Sequence, residues 1–443
     1  KYYWKVIATD SSGTKTSSVM NFTLKKGPEW TFNQGYCCSL QSSAISADGE
    51  YIVMAGNGDG DGGTNGELHL FKKGSGTPIW TFTTDSDSYF QTVDISADGE
   101  YIAAGTNTNN NDCGVTDCGY VYFFDKDSSS PSWTKDTYEE VYAVSISADG
   151  EYIVAGTDGN RLYAYDKSGD SLWTDSSGDV TSTAISADGK YIVAGSNDGD
   201  WIKFYGIESS TALWKYSLDD GGLWISEVSI SGNGDYIVAT LGDSDEGNLL
   251  LFGQSSNVPL WSYNATTEMT SVAISTDGNY IVAGTNNGTN SKFNLFSRSN
   301  STPLWTYTSN GYVRDVDISA DGEYLSFMKQ NQGTSPSKLY LFDKDSSTPL
   351  WDAKVGSTAD PHRLSISADG KYISEADDHS QGRLFKNDLA TQPFVLSFSP
   401  SGSIEIAPKL MWLASSDDRS NLTFDVYLDT NSNPTTLVAD DIS

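Results

Sequence analysis

The chain has 443 residues, of which 59 are acidic and 27 are basic, so its formal net charge at pH 7 is −32. This charge repels the phosphate backbone of nucleic acid and the surface of an anionic membrane, and no apolar run approaches the ~20 residues that span a bilayer, so we expect neither nucleic-acid binding nor membrane insertion. Abundant Gly, Ser, Asp, Thr and Asn, with 12% aromatic residues, favour an all-β fold of short strands.

The two ends of the chain carry short strand-like segments. In residues 1–27, the runs Tyr2–Asp10 and Val19–Leu24 resemble the last two strands of a fibronectin type III domain. In residues 399–443, the runs Leu410–Leu413 and Leu422–Leu428 resemble the early strands of the same family. The resemblance implies complementary halves of a split fibronectin III/Ig-like β-sandwich.

Such a half leaves an open sheet edge that needs a partner strand. Two arrangements supply that partner strand: the two halves meet within one chain, or the half of one copy pairs with the half of the next copy. The third alternative is that the ends of the chain are arbitrary boundaries. We favour pairing between copies, so that other copies of the chain are the expected partners.

Residues 28–398 contain a repeat whose clearest copy is Ile146–Gly156, Ile-Ser-Ala-Asp-Gly-Glu-Tyr-Ile-Val-Ala-Gly. Alternating apolar residues on both sides of an Asp-Gly pair predict a β-hairpin. The turn glycine recurs at positions 49, 99, 150, 189, 234, 278, 322 and 370. These intervals are those of a four-stranded propeller blade, which spans about 40–50 residues, and the sequence therefore predicts an eight-bladed β-propeller.

A tryptophan recurs in phase with the hairpin, mostly after Pro-Leu or Ser-Leu, and we interpret the set as core packing between blades. Its members are Trp30, Trp80, Trp133, Trp173, Trp214, Trp261, Trp305 and Trp351. The first precedes the first hairpin, while no such tryptophan follows the eighth. We therefore expect strand 28–33 to complete the eighth blade and close the ring, with residues 392–398 as the less favoured candidate.

Repeats such as Leu339-Tyr-Leu-Phe-Asp-Lys followed by Thr348-Pro-Leu-Trp resemble those of pyrroloquinoline-quinone-type (quinoprotein) propellers. The hairpins also resemble the WD40-like repeats of secreted prokaryotic proteins. The resemblance covers about 370 residues and implies the propeller fold, whereas propellers of this kind serve many functions.

One enlarged loop is the candidate metal site. Asn57, Asp59, Asp61 and Asn65 place oxygen side chains at alternate positions between glycines, a pattern that suits a hard cation such as Ca²⁺. The loop resembles the calcium hairpins of integrin-type propellers, with Asn in place of Asp at its two ends. The alternative is an acidic hairpin loop without a metal, and Asp243–Glu246 is a weaker second candidate.

The four cysteines fall into two close pairs. Cys113 and Cys118 flank one long loop and are candidates for a local disulfide, although pairing with Cys37 or Cys38 is equally open. The adjacent Cys37 and Cys38 resemble the vicinal disulfide of eight-bladed quinoprotein alcohol dehydrogenases, which implies a dehydrogenase as the alternative function. No catalytic Asp or calcium-ligand set can be placed by motif, so no catalytic residue is assigned.

The surface composition suggests an exported protein. Five Asn-x-Ser/Thr sequons mark candidate glycosylation sites at Asn21, Asn264, Asn287, Asn300 and Asn421. Aromatic residues in predicted loops offer a further site for a surface glycan or a peptide. They are Tyr36, Tyr89, Phe90, Tyr138, Trp224 and Tyr312.

The sequence therefore predicts a non-enzymatic extracellular or cell-surface protein, the repeating subunit of a filament, sheath or surface array. The alternatives are a quinoprotein-like dehydrogenase and a glycan- or peptide-binding propeller module. No cofactor is expected beyond the candidate calcium ion.

Overall fold

The fold is taken from a computed structural model, in which every regular element of the described residues is a β-strand. The structure describes residues 2–10, 13–16, 20–22, 27–35, 39–57, 65–84, 88–108, 119–176, 178–196, 200–218, 223–243, 246–331, 336–356, 361–387, 396–398, 404–406, 423–429 and 437–442. For residues 2–22, 108, 361–362 and 396–442 this description covers the backbone alone. None of the described residues forms a helix long and apolar enough to cross a membrane.

Residues Lys26–Lys386 form one compact unit of eight four-stranded antiparallel sheets. We number these sheets as blades 1 to 8. Blade 1 consists of β5 (Leu40–Ile45), β6 (Tyr51–Asn57), β7 (Gly66–Lys72) and β8 (Trp80–Thr83), and blade 2 consists of β9 (Ser88–Ile95), β10 (Tyr101–Thr108), β11 (Tyr120–Asp125) and β12 (Trp133–Asp136). Blade 3 consists of β13 (Val141–Ile146), β14 (Tyr152–Thr157), β15 (Arg161–Asp166) and β16 (Ser171–Ser176), and blade 4 consists of β17 (Val180–Ile185), β18 (Tyr191–Ser196), β19 (Trp201–Gly206) and β20 (Trp214–Ser217).

Blades 5 to 7 follow the same order, and blade 8 takes its outer strand from the other end of the unit. Blade 5 consists of β21 (Trp224–Ile230), β22 (Tyr236–Gly242), β23 (Gly247–Gly253) and β24 (Trp261–Ala265), and blade 6 consists of β25 (Met269–Ile274), β26 (Tyr280–Thr285), β27 (Ser291–Ser297) and β28 (Trp305–Ser309). Blade 7 consists of β29 (Tyr312–Ile318), β30 (Tyr324–Gln330), β31 (Ser337–Asp343) and β32 (Trp351–Val355), and blade 8 consists of β33 (Pro361–Ile366), β34 (Tyr372–Asp377), β35 (Gln381–Lys386) and β4 (Trp30–Asn33). The propeller therefore closes through β4, which pairs with β35.

The hairpin turn of each blade is stabilised by its own side chains. In blade 1, Ser46 Oγ donates to Asp48 Oδ1, and Asp48 Oδ1 also accepts the amide of Glu50 at 2.9 Å. Gly49 has a φ of +69°, which a residue with a Cβ adopts only with strain. The Ser-x-Asp-Gly sequence thus specifies the turn locally.

Backbone hydrogen bonds join these turns into a closed circle. The amide of Ala47 donates to the carbonyl of Ala97 in the next blade at 2.9 Å, and a bond of this kind links each pair of neighbouring blades, with Asp188 instead of Ala187 as the donor between blades 4 and 5. The last of these bonds runs from the amide of Ala368 to the carbonyl of Ala47, also at 2.9 Å. Blade 8 is therefore joined to blade 1 in the same way as the other neighbouring blades are joined.

The apolar core lies between successive blades. Between blades 1 and 2, for example, Val53 and Leu70 pack against Ile102 and Phe124. The recurrent tryptophans lie at the start of the outer strands, except Trp173, which is the third residue of β16. Seven of them donate the indole N–H to a backbone carbonyl of the following blade, as Trp80 does to Lys126 at 2.7 Å. Trp351 is buried, and its Nε1 has no hydrogen-bond partner among the described residues.

The two ends of the chain, residues Lys1–Lys25 and Asn387–Ser443, form a second compact unit. Its five-stranded sheet contains β1 (Tyr2–Asp10), β2 (Gly13–Thr16), β3 (Met20–Phe22), β38 (Thr423–Asp429) and β39 (Leu437–Ile442). The strands β36 (Leu396–Phe398) and β37 (Ile404–Ile406) pair with each other, so 396–398 does not contribute to blade 8. Strand β1 pairs with β38 of the same chain. The sequence analysis instead favours pairing between copies.

Candidate functional site

A β-bulge occurs near the start of the inner strand of every blade. In blade 5, Ile225 pairs with Leu241 and Glu227 pairs with Thr240, so Ser226 is the extra residue. The bulged residues are Gln41, Gln91, Tyr142, Thr181, Ser226, Thr270, Arg314 and His362. Because a bulge redirects the side chains beside it, eight bulges at one level set a ring of side chains around the centre of the propeller.

The residue after each bulge occupies the same position in all eight blades, and we call this set the inner ring. Its members are Ser42, Thr92, Ala143, Ser182, Glu227, Ser271, Asp315 and Arg363. Blades 1 to 4 supply small residues, whereas blades 5, 7 and 8 supply charged ones. The inner ring therefore has a neutral half and a charged half.

Side chains of the inner ring connect neighbouring blades. Ser42 Oγ accepts the amide of Val93 at 3.2 Å, and five further ring residues accept the equivalent amide of the next blade. Ala143 and Arg363 depart from this pattern. The side chain of Ala143 has no hydrogen-bond acceptor, and the guanidinium of Arg363 has only donors. An oxygen at this position thus stabilises the closed propeller.

Arg363 organises the charged half of the inner ring. Its Nη1 lies 2.8 Å from Glu227 Oε1 and 3.5 Å from Asp315 Oδ1. Ser271 lies between the two carboxylates, and its hydroxyl contacts Glu227 Oε2 at 2.7 Å and Asp315 Oδ1 at 3.1 Å. Glu227 and Asp315 raise the pKa of Arg363, which holds the guanidinium in its charged form.

A cavity of about 200 Å³ opens among the inner strands of blades 1 to 5 and blade 8. Its lining includes Ser42, Thr92 and Ser182 from the neutral half of the ring, with Glu227 and Arg363 on the other side. Asp94 also lines the cavity. This cavity, bounded by hydroxyl groups and one ion pair, is the candidate functional site.

Three carboxyl groups of the inner strands titrate well above their usual range. Burial raises the pKa of Asp94 to about 6, although the amides of Ile95 and Ile146 bind its carboxylate and oppose the shift. Burial likewise raises the pKa of Asp315 to about 6 and that of Asp317 to about 7. The electrostatics of the site therefore change between pH 5 and pH 8.

A second group of buried charges lies in blade 8. Arg383 contacts Glu375 Oε1 and lies 2.9 Å from Asp377 Oδ2. Burial raises the pKa of Glu375 to about 7, and its Oε2 has no hydrogen-bond partner among the described residues. The corresponding cross-strand pair in blade 5 is Ala239 and Leu250, and in blade 4 it is Ala194 and Lys203, so neither of these blades has a carboxylate opposite a cation here.

The predicted calcium loop lies only partly within the described residues. Asn57 ends β6, where its backbone pairs with Gly66, and Asn65 lies just before β7. Asp59 and Asp61 lie outside the described residues, as does Asp245 of the second candidate. Among the residues that the structure describes, no group of three or more His, Cys, Asp or Glu side chains is placed to hold a metal ion.

The other predicted sites have separate locations. Cys37, Cys38, Cys113 and Cys118 lie outside the described residues, as do Asn421 and the side chain of Asn21. The side chains of Asn264, Asn287 and Asn300 are exposed. The prediction that Phe90 lines a loop site is wrong, because Phe90 is completely buried between blades 1 and 2.

Of the remaining loop aromatics, Tyr138 and Trp224 are exposed and Tyr36 lies outside the described residues. The sequence reasoning missed Glu227, Asp315 and Arg363. The sequence contains a signal for them. Each lies seven residues before a turn glycine, a position at which blades 1 to 4 and blade 6 have Ser, Thr or Ala.

The cavity does not suit pyrroloquinoline quinone, the cofactor that the quinoprotein resemblance implies. That cofactor is a flat anion with several carboxylates, whereas Arg363 is the only cationic side chain in the cavity lining. Arg363 is already paired with Glu227 and Asp315. The described residues that line the cavity therefore offer no unpaired positive charge for a polyanion.

Residues 64–307, more than half of the chain, match the family described as outer membrane protein assembly factor BamB. No curated protein matches the chain in sequence. Among solved structures, Sqt1 from Chaetomium thermophilum bound to the N-terminus of the ribosomal protein L10 is similar, with a TM-score of 0.64 at 14% identity, over 82% of this chain and 100% of that chain. The C-terminal WD40 domain of Sif2 has the same TM-score and identity, over 83% and 99%. These structures share the propeller fold.

Proposed function

The chain belongs to the family of outer membrane protein assembly factor BamB, and on this basis we propose that it is a non-catalytic assembly module of the cell surface or the extracellular space. In this proposal the propeller is a rigid scaffold, and the terminal strands join copies of the chain into a filament, sheath or surface array. The family description names an assembly factor of outer membrane proteins, and the closed ring of eight blades supports a rigid scaffold.

The observation that carries the proposal is the pairing of β1 with β38. Seven residue pairs are in register, from Tyr3 opposite Asp429 to Thr9 opposite Thr423. The two strands come from opposite ends of the sequence, yet each supplies the hydrogen-bonding edge that the other lacks. β1 also pairs with β2 and β3, and β38 also pairs with β39, so without the β1–β38 pairing each strand would leave one sheet edge open.

The same pairing is available between two molecules, because every backbone contact between β1 and β38 can form equally between copies. Exchange of an identical element is a route to oligomers that needs no new interface. When each copy gives β38 to one neighbour and receives it from another, the assembly is open and grows as a chain. Exchange of this kind accounts for self-association without a surface designed for that purpose.

The exposed sequons support a location outside the cell, and the net charge indicates which part of the chain associates. The side chains of Asn264, Asn287 and Asn300 are exposed, which is what attachment of a glycan requires. The formal charge of −32 keeps a propeller soluble and discourages contact between propellers themselves. Association would therefore be confined to the terminal strands.

A registered disulfide tests the exchange. In the variant Val6→Cys/Val426→Cys the two substituted residues are directly opposite each other across β1 and β38. Oxidation at increasing protein concentration, followed by non-reducing electrophoresis, should give a ladder of covalent oligomers if the strands exchange. The off-register variant Val6→Cys/Asp425→Cys is the matched control, since side chains of adjacent residues in a strand point to opposite faces.

Exclusive formation of cross-linked monomer at every concentration, together with a monodisperse monomer in light scattering, would overturn the proposal. The dehydrogenase alternative has its own test. Alcohol oxidation that appears when pyrroloquinoline quinone and Ca²⁺ are added to the purified protein would contradict a non-catalytic role.

A further inference from the structure

We propose that the cavity at the inner ring binds a small, neutral, multiply hydroxylated ligand of the size of a monosaccharide. This inference is independent of strand exchange, because it concerns the propeller alone. It rests on the hydrogen-bonding state of the ring hydroxyls, the pairing of the charged groups, and the size of the cavity.

The hydroxyl hydrogens on the neutral side of the inner ring are not used in hydrogen bonds within the described protein. Ser42, Thr92 and Ser182 each accept a backbone amide from the next blade, at 3.2, 3.3 and 3.1 Å. A hydroxyl group has one hydrogen to donate as well as its acceptor lone pairs. Among the described residues none of the three donates to a protein acceptor, so three O–H donors at one level of the cavity wall are available to a ligand.

The charged groups of the cavity lining already have partners in the protein. Glu227 is held by Arg363 at 2.8 Å, while both oxygens of Asp94, on the same strand as Thr92, accept backbone amides at 2.8 and 3.0 Å. Arg363 therefore has no charge to spare for an anion, and both carboxylates have protein partners. A neutral ligand that both accepts and donates hydrogen bonds matches these groups and the free hydroxyl donors together.

The ring also contains a gap at blade 3. Ala143 is the one member of the inner ring without a polar side chain, and it lies in the cavity wall beside Tyr142. Tyr142 is the bulged residue of that blade and is 37% exposed, so an aromatic surface borders the gap. Sugar rings have apolar faces as well as hydroxyl edges, and both kinds of surface are present here.

The volume limits the size of the ligand. At about 200 Å³ the cavity is smaller than the ~300 Å³ at which pockets for drug-sized ligands begin. A single hexose or a polyol of similar size is accommodated, whereas an oligosaccharide would have to leave its other units outside.

A charge series of otherwise similar sugars tests the ligand class. Glucose, galactose and mannose are titrated into the full chain by ligand-detected NMR, in parallel with glucuronate and glucosamine. We expect at least one neutral hexose to bind and the corresponding uronate to bind at least tenfold more weakly. Tighter binding of glucuronate or of glucosamine than of every neutral sugar would overturn the proposal, and so would the absence of binding by all five.

Two serine variants locate the site. Ser182→Ala removes one available donor, and a lost hydrogen bond of ~1 kcal/mol corresponds to a loss of affinity of about fivefold. Ser262→Ala is the matched control, because Ser262 is an exposed serine of the outer strand β24 and lies outside the cavity lining. We expect Ser262→Ala to change affinity less than twofold. Equal losses in the two variants would place the ligand elsewhere.

Discussion

Arg363 Nη1 lies 2.8 Å from Glu227 Oε1, although the two residues are 136 positions apart in the sequence and belong to blades 8 and 5. Arg363 also lies 3.5 Å from Asp315 in blade 7. One cation on the last blade thus links an acidic residue of the neighbouring blade to an acidic residue of blade 5. Ring closure and the ion-pair network therefore depend on each other.

Replacement of Arg363 by methionine should destabilise the propeller by about 1–3 kcal/mol. Removing one partner of a fully buried ion pair costs ~3–5 kcal/mol, and the value here is lower because the Arg363 side chain is 52% exposed. Without Arg363 the pKa of Asp315 should rise further above its value of about 6. The loss of stability should accordingly be larger at pH 8 than at pH 5.

Urea unfolding at the two pH values measures this effect. Arg314→Met is the control, since the Arg314 side chain is exposed and bonds to Gln330. It should change the free energy of unfolding by less than ~0.5 kcal/mol. Equal effects of the two substitutions would contradict the role assigned to Arg363.

The unmodified protein should become more stable as the pH falls from 8 to about 5. Burial raises the folded-state pKa of Asp94 and Asp315 to about 6 and that of Asp317 and Glu375 to about 7. A raised folded-state pKa contributes stability that is fully present below the unfolded pKa, near 4, and is lost as the pH rises through the folded value. Exposed carboxylates with lowered pKa, such as Asp188 and Asp369, act in the opposite direction only below about pH 4.

Thermal unfolding at pH 5 and pH 8 in 0.5 M salt tests this dependence, because salt screens the general repulsion of the −32 net charge. Asp317→Asn should reduce the difference in Tm between the two pH values. A Tm that falls from pH 8 to pH 5 would show that the buried carboxyls do not dominate.

Arg383→Leu should destabilise the protein by ~3–5 kcal/mol, because it leaves Glu375 and Asp377 buried without their cation. The triple variant Glu375→Ala/Asp377→Thr/Arg383→Leu should recover most of this loss. Its residues resemble those at the corresponding positions of other blades, such as the cross-strand pair Ala239 and Leu250. Chemical denaturation of the single and triple variants gives the comparison, and a triple variant as unstable as the single one would refute this account.

Gly99→Ala should cost about 2 kcal/mol or more. Gly99 has a φ of +73°, and an added Cβ would lie 2.7 Å from Cδ2 of Tyr51 in the preceding blade. Gly74→Ala is the matched control, since a Cβ at Gly74 meets no atom within 4 Å. Thermal denaturation should separate the two variants by several degrees, and similar Tm values would mean that the turn does not need glycine.

The hairpins and their number were predictable because the interactions that specify them are local. Ser46, Asp48 and Gly49 stabilise one turn among themselves, and the same residue types recur with the spacing of a blade, except that Asn233 replaces Asp in blade 5. The outer tryptophans were predictable for a similar reason, since Trp80 and its equivalents hold one phase of the repeat. No tryptophan of the set follows the eighth hairpin, which predicted that strand 28–33 completes blade 8. The structure confirms this, because β4 is the outer strand of blade 8.

The inner ring was not predicted, because Glu227, Asp315 and Arg363 each resemble an ordinary polar residue in an exposed strand. Their importance arises only when eight blades bring one position of the repeat to a common centre. The same limit applied to Phe90, whose neighbours in sequence suggested a loop but whose position in β9 buries it against blade 1.

The sequence alone determined the β-hairpin, its eightfold recurrence and the phase of the tryptophans, since each depends on residues only a few positions apart. The tertiary structure decided which side chains meet at the centre, how Arg363 pairs across the ring, and that β1 joins β38 within one chain. These contacts join residues between 48 and more than 400 positions apart, so no local stretch of the sequence specifies them.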